Sequence, residues 1–189
     1  MRNHIKPAAF LMTAALSILT AVAAEDLKGE TQDAIAKFKQ SDSSLKTFFD
    51  NSAGYAVFPN VGKGGFIVGG AHGKGLVFEK GVVVGQATMT QASVGAQAGG
   101  QSFAQVIFFE TPAALQNFKG GNFEMSAEVS GVVAAEGAAK AAKYKEGVAV
   151  FAMPKKGLMG QAAVGGQKFK FEPIAAGSPG ASQGTEKGK

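Results

Sequence analysis

Hydrophobic residues change their spacing twice along the chain, and each change marks a boundary. Between residues 26 and 51 they recur every three, four or seven positions, as on one face of an amphipathic helix. A serine-rich stretch at residues 41–44 can cap a new helix start, so one long helix and two short ones remain equally open. From residue 54 to 171, short apolar runs alternate with glycine, which predicts β-strands separated by turns.

The predicted strands cover residues 55–58, 65–68, 76–78, 82–84, 102–109, 148–153 and 168–171. A short helix is predicted near residues 112–118, because Thr111 can cap it, Pro112 fits its first turn, and glycine follows at Gly120. Glycine accounts for 27 of 189 residues, well above the usual share of about 7%. Dispersed glycines in strands mark bulges, bends and close backbone approach. The pattern predicts an α+β fold: a strongly curved, glycine-rich, barrel-like antiparallel sheet with an N-terminal amphipathic helix region.

The N-terminus has the pattern of a cleaved signal peptide. Arg2 and Lys6 precede an apolar run at residues 8–20, and the small residues Ala23 and Ala24 offer cleavage positions. The run is shorter than the ~20 residues that span a bilayer, so we expect cleavage rather than a retained anchor. We expect export to the periplasm or periplasmic membrane surface of a Gram-negative bacterium, with secretion as the alternative.

Three segments follow from these boundaries: a signal peptide at residues 1–24, a single domain at 25–174, and a C-terminal tail at 175–189. The tail consists mainly of small and polar residues without a large apolar side chain. Such a composition cannot offset the entropy of ordering, so we predict that the tail is disordered.

Catalytic and metal-binding patterns are missing from the sequence. The chain has no cysteine, and past residue 24 its one histidine is His72, in a glycine-rich segment at residues 69–75 that we interpret as a loop. A catalytic triad needs a well-oriented histidine, and a zinc site draws on several His or Cys ligands. The segment also lacks the spacing of a phosphate-binding P-loop. We therefore expect no enzyme activity, no cofactor and no metal.

Lysine is concentrated in the C-terminal half. Without Arg2 and Lys6, 17 of 19 basic residues remain against 14 acidic ones, a net charge of +3. Between residues 137 and 171 one glutamate faces seven lysines, namely Lys140, Lys143, Lys145, Lys155, Lys156, Lys168 and Lys170. A lysine-rich face attracts acidic lipid, at about 1 kcal/mol per lysine; a solvated face that serves solubility is the equal alternative. Nucleic acid is not expected, because the domain has no arginine for bidentate contacts.

Several segments, in this order and spacing, resemble the SYLF domain: residues 55–70, 93–101, 106–109, 114–118 and 156–160. The likeness spans roughly residues 34 to 171. The resemblance implies a compact α+β domain that binds phosphoinositides or acidic phospholipids, without enzyme activity, and in eukaryotic members an association with actin. A signal peptide makes an actin or phosphoinositide partner implausible, so we carry over only the association with membrane phospholipids.

The resulting hypothesis is a non-enzymatic domain that binds acidic membranes of the cell envelope. In it, the N-terminal helix presents apolar residues, Ile35 and Phe38 among them, to lipid, while the seven lysines neutralise headgroups. Docking of this helix on the sheet is the competing interpretation, and we favour it for Leu45, Phe48 and Phe49. Two other functions stay open: a carrier of a small apolar ligand or lipid, and a structural protein-interaction module whose protein partners are unknown.

Overall fold

A computed structural model describes residues 10–62, 70–92, 102–126, 128–155 and 164–174, with the backbone alone for residues 10–24 and Ala92. The helices are α1 (Phe10–Ser41), α2 (Lys46–Asn51), α3 (Pro112–Lys119) and α4 (Ala138–Ala141), and a 3-10 turn, Ser43–Leu45, precedes α2. The strands are β1 (Gly54–Gly62), β2 (Gly70–Glu79), β3 (Val82–Ala92), β4 (Phe103–Phe109), β5 (Phe123–Glu124), β6 (Val132–Val133), β7 (Val148–Pro154) and β8 (Gln167–Pro173).

The eight strands form one curled sheet in the order β5-β8-β3-β2-β1-β4-β7-β6. The predicted α+β fold with a strongly curved sheet is confirmed. One pair departs from the antiparallel prediction, because β6 runs parallel to β7. The chain passes from β6 to β7 through α4, which allows a parallel pair. Strand β6 is only two residues long, too short to leave a pattern in the sequence.

Side chains alternate between the two faces of the sheet, as the period of two in a strand requires. In β4, Ile107 and Phe109 enter one core, and Val106 and Phe108 enter the other. The first, which we call the inner core, fills the concave side, where α3 adds Leu115 and Phe118. The second, which we call the outer core, lies on the opposite face of the sheet. Phe58 of β1 lies 5.6 Å, ring to ring, from Phe169 of β8, although two strands separate β1 from β8. The sheet is therefore curled far enough for non-neighbouring strands to touch across its inner side.

A pair of buried glutamines joins the two sides of this curl. Gln105 of β4 and Gln167 of β8 are both 0% exposed and exchange two hydrogen bonds between their amides, of 2.8 and 3.1 Å. Gln167 also donates to the Oε1 atom of Gln91, at 3.4 Å. Three strands lie between β4 and β8, so this pair fixes the curvature directly. A buried amide without a partner is costly, which makes the pairing specific.

Two glycines allow the backbone and aromatic rings to approach closely. A Cβ atom at Gly75 would collide with the Val57 carbonyl and the Phe58 ring, and one at Gly85 would collide with the Phe171 ring. The register shifts between Val57 and Asn60, and such a bulge is where a strand tolerates a proline such as Pro59. The predicted roles of glycine in close approach and of irregular strands in curvature fit these positions.

Helices cover part of the outer face. Phe38 of α1 and Leu45 of the 3-10 turn are fully buried there with Val57, Val106 and Phe108. Phe48 and Phe49 of α2 pack against the Phe108 ring, Phe48 tilted and Phe49 edge-on, with centroids 5.3 and 4.8 Å away. The N-terminal segment thus forms two helices, one of the two possibilities left open, and it docks on the sheet.

The prediction of a loop at residues 69–75 is wrong. Residues from Gly70 onward belong to β2, where His72 pairs with Thr90 of β3 and Gly73 with Met89. The buried side of this part of β2 consists of Ala71, Gly73 and Gly75, small residues that carry no apolar pattern. Residues 65–68 and the tail at 175–189 lie outside the described residues.

The glutamine pair yields a stability prediction. We expect Gln105→Ala to lower the free energy of unfolding by about 1–3 kcal/mol, because it leaves the buried Gln167 amide short of a partner. The double variant Gln105→Leu/Gln167→Leu should lose less unfolding free energy than the two single leucine variants lose in sum. The difference should be at least about 1 kcal/mol, since both polar groups are then removed together. Urea denaturation of the four proteins measures this coupling, and additive effects would contradict it.

Candidate functional site

The outer face has a second part on which polar side chains are exposed. It is formed by residues that alternate with the inner core on β2, β3 and β8, and we call it the bare face: His72, Lys74, Thr88, Thr90, Lys168 and Lys170. Thr88 is half-buried and the other five are exposed. Their inward neighbours Ala71, Ala87, Met89 and Phe169 are buried in the inner core, so strand geometry holds the bare-face side chains outward.

The register arranges these residues in rows across three strands. In one row Thr88 pairs with Lys74 of β2 and with Lys170 of β8. In the next, Thr90 pairs with His72 on one side and Lys168 on the other. With strands about 4.8 Å apart, the two lysines of the first row start about 10 Å from each other. Each threonine thus lies between two side chains that can carry positive charge.

Two carboxylates lie beside the lysines of β8. Glu124 of β5 is 3.5 Å from the Lys168 ammonium, and Glu172 is 3.2 Å from that of Lys170. All four side chains are more than half exposed, so water screens both pairs. Among the described residues, Lys74 has no such acidic partner.

The other predicted lysines lie elsewhere. Lys140 is on α4, Lys143 and Lys145 follow it, and Lys155 comes directly after β7, all four exposed. Lys145 pairs with Glu128 at 3.3 Å, and Lys155 donates to Asn60, whose amide donates to Glu30 of α1 at 2.7 Å. These residues adjoin β7, whereas Lys168 and Lys170 lie on β8 near the opposite end of the strand order. Lys156 lies outside the described residues.

Ile35 and Phe38 face the sheet. Phe38 is 0% exposed and Ile35 is half-buried against the outer core. This burial agrees with the interpretation that α1 docks on the sheet. Contact of Phe38 with lipid would require α1 to leave the sheet. Ala23 and Ala24 lie within the span of α1, and cleavage there stays a prediction. Among the described residues, no helix is both long and apolar enough to span a membrane.

One buried carboxylate, Asp42, links the N-terminal helices to α4. It accepts hydrogen bonds from the backbone N–H groups of Ser44 (2.9 Å), Gly137 (3.1 Å) and Ala139 (2.7 Å), and from the Ser44 hydroxyl. Burial alone would raise the pKa of Asp42, but these hydrogen bonds outweigh it and hold the pKa below its ordinary value. Asp42 therefore fixes the α4 segment against the helical cover.

Two tyrosines among the described residues also have shifted pKa values. Burial raises the pKa of Tyr55, and burial together with the charge of Glu110 raises that of Tyr144. Both phenols thus stay neutral over the ordinary pH range. Within the described ranges, no group of three or more His, Cys, Asp or Glu side chains is placed to hold a metal ion.

Two comparisons with known proteins bear on the fold. Residues 90–173 match the family model Ysc84, described as "Las17-binding protein actin regulator". This match confirms the predicted resemblance to the SYLF domain. It is also similar to Beta cell expansion factor A of Aeromonas veronii, with 32% identity over 139 residues, 72% of this chain and 52% of that protein. The chain thus spans about half the length of this curated relative. The SYLF family is associated with lipid or membrane binding and is generally non-enzymatic.

The sequence pattern places Lys168 and Lys170 in the candidate site but does not identify Lys74, Thr88 and Thr90 of the bare face. The missed residues lie about 80 to 95 positions earlier in the chain, so a local count of charge could not join them to β8. A usable signal was present: small or apolar residues at 71, 73, 75, 87 and 89 alternate with polar ones at 72, 74, 88 and 90. That alternation is typical of strands with one polar face.

The Asp42 network predicts a pH-dependent stability. A carboxyl whose folded pKa is lowered stabilises the fold fully above its unfolded pKa of about 4, and this contribution is lost as pH falls through the folded pKa. We expect Asp42→Ala to lower the free energy of unfolding at pH 7 by about 3 kcal/mol, because buried N–H groups lose a charged acceptor. The stability gap should narrow below pH 4 in denaturation curves taken across pH. Asp50→Ala, which removes an exposed carboxylate paired with Lys46, should change stability by less than about 1 kcal/mol; equal losses would refute the assignment.

Proposed function

We propose that this SYLF domain is a non-enzymatic module that binds the surface of acidic phospholipid membranes through the bare face. The observation that carries the proposal is the row Lys74, Thr88, Lys170 on three adjoining strands, beside Lys168. The strands hold these lysines on one exposed side, so several ammonium groups can meet a planar anionic surface at once. Association of the family with lipid or membrane binding supports the same function.

The electrostatics favour adsorption rather than deep insertion. Each lysine near an acidic bilayer contributes about 1 kcal/mol, and the attraction decays within a Debye length of about 10 Å at 0.1 M salt. Glu124 and Glu172 offset part of the charge of Lys168 and Lys170. Lys74 therefore contributes its full charge to the attraction, because no described carboxylate pairs with it.

The location of this membrane is also a proposal. The basic, apolar and small-residue segments at residues 1–24 support export, and they favour the periplasmic membrane surface of a Gram-negative bacterium. The role of Lys140, Lys143, Lys145, Lys155 and Lys156 in headgroup binding is a weaker part of the proposal, because the described members of this set lie near β7. Insertion of Ile35 and Phe38 would first require undocking of α1.

The structure offers less support for a carrier of a small apolar ligand or lipid. A carrier needs an internal cavity, but the concave side is filled by large side chains that are 0–3% exposed: Phe58, Met89, Phe109, Phe118 and Phe169. The activities that the names of the family and of the Aeromonas protein suggest are not carried over.

Co-sedimentation with vesicles tests the proposed function. We expect the full chain to bind acidic vesicles, to bind neutral ones weakly, and to lose affinity as salt rises. The variant Lys74→Gln/Lys168→Gln/Lys170→Gln should bind at least about tenfold more weakly, since three contributions of up to about 1 kcal/mol each are lost.

The matched control is Lys140→Gln/Lys143→Gln/Lys145→Gln, which removes the same charge next to β7 and leaves the N-terminal segment unchanged. It should retain most of the binding. Equal losses in the two variants would show that net charge rather than the bare face is responsible. Binding to neither kind of vesicle would refute the proposed function.

A further inference from the structure

A groove beside the bare face combines positive charge with groups that bind hydroxyls. It has a volume of about 450 Å³, and its lining includes Thr88, Thr90, Asn122, Glu124, Lys168 and Lys170. Four of these six residues belong to the bare face. Asn122 and Glu124 add an amide and a carboxylate from the segment that follows α3.

The backbone fixes the wall of this groove. After α3, Gly121 adopts a φ of +90°, a left-handed conformation that glycine adopts without strain. The chain then pairs with β8, Phe123 opposite Phe169 and Glu124 opposite Lys168. The N–H of Met125 donates to the Gln167 carbonyl at 2.8 Å. Asn122 and Glu124 are thereby held next to the strand that carries both lysines.

The groove combines ammonium groups with a carboxylate, an amide and hydroxyls. A surface that only attracts anions would need the ammonium groups alone. Two ammonium groups suit an anion, but a carboxylate at 3.5 Å from Lys168 repels one. Carboxylates, amides and hydroxyls accept hydrogen bonds from alcohols. Within the described chain, the side chains of Thr88, Thr90 and Asn122 have no protein partner, so they are available to a ligand.

We infer that this groove binds a headgroup that carries both a phosphate and free hydroxyls, a glycerol phosphate on a lipid. Lys168 and Lys170 would meet the phosphate, and Glu124, Asn122 and the two threonines would meet the hydroxyls. The inference rests on the proposed membrane function. It commits to a lipid source because the groove opens onto the bare face, where Lys74 of β2 extends the positive charge across the outer side of the sheet.

Vesicles of equal surface charge separate this inference from simple attraction. Phosphatidylglycerol and phosphatidylserine both carry one net negative charge, but only the first has a glycerol diol. We expect the full chain to bind phosphatidylglycerol vesicles at least about threefold more tightly, through a few added hydrogen bonds. Equal affinity for the two lipids would overturn the inference and leave the membrane function intact. Binding to neither would refute the membrane function itself.

A substitution that keeps shape tests the threonines. Thr88→Val/Thr90→Val removes both hydroxyls and keeps β-branched residues suited to strands. It should abolish the preference for phosphatidylglycerol, so that phosphatidylglycerol and phosphatidylserine vesicles are bound with equal affinity. Thr47→Val, on the exposed surface of α2, is the control and should keep the preference. The thermal unfolding midpoint should be the same for the original protein and the two variants. A preference that survives in the Thr88→Val/Thr90→Val protein would overturn the assignment.

Soluble competitors distinguish a lipid from a free ligand. Glycerol 3-phosphate should displace the protein from phosphatidylglycerol vesicles at lower concentration than inorganic phosphate does, because only the former offers hydroxyls to Glu124 and Asn122. Equal potency would contradict the role assigned to hydroxyls. Saturable binding of glycerol 3-phosphate by a protein that binds no vesicles would replace the lipid with a soluble ligand and overturn the commitment to a membrane.

Discussion

Curling of the sheet is the constraint on which the rest of this structure depends. Eight strands bring β8 and β4 together across the concave side, where the Gln105–Gln167 pair and the Phe58–Phe169 contact join strands that are not neighbours. The inner core is thereby closed without a second sheet. A closed inner side leaves the convex side as the place where long helices can pack, and this side has more area than the helices of one small domain can cover.

The division of the convex side follows from this shortage of cover. Where α1, the 3-10 turn and α2 pack, outward positions are apolar, such as Val57, Val106 and Phe108. On β3 and β8 the outward positions include Thr88, Thr90, Lys168 and Lys170, which tolerate water while β-branched or long stems still cover the sheet. The rows of the bare face are thus a consequence of register: once the inner residues are buried, Thr88 must lie between Lys74 and Lys170.

The sequence predicts the parts of this fold whose signal is local. Strands β1, β4 and β7 are apolar on both faces and stand out between glycines, and α3 carries its cap, proline and terminating glycine as expected. The first half of β2 was missed because its buried side consists of Ala71, Gly73 and Gly75, where close packing replaces large side chains. The described lysines of the cluster form two separate groups in space, since β7 and β8 follow each other in the chain and lie far apart in the strand order. Burial of Phe38 depends on which sheet face α1 meets, and no local pattern encodes that.

The cost of exposing the helical cover decides which surface can meet a membrane first. Releasing α1 would expose Phe38 and the side chains beneath it, at about 1.5–3 kcal/mol for each large apolar residue, and lipid contact could recover that energy only after the helix had left. Asp42 raises this barrier, because its carboxylate holds the turn before α2 to the N–H groups of Gly137 and Ala139. The bare face requires no rearrangement, since its lysines already project from a rigid sheet. In the proposed function, charge on β2 and β8 therefore makes the first contact with the membrane, and any insertion of the N-terminal helix is a later step that this contact must stabilise.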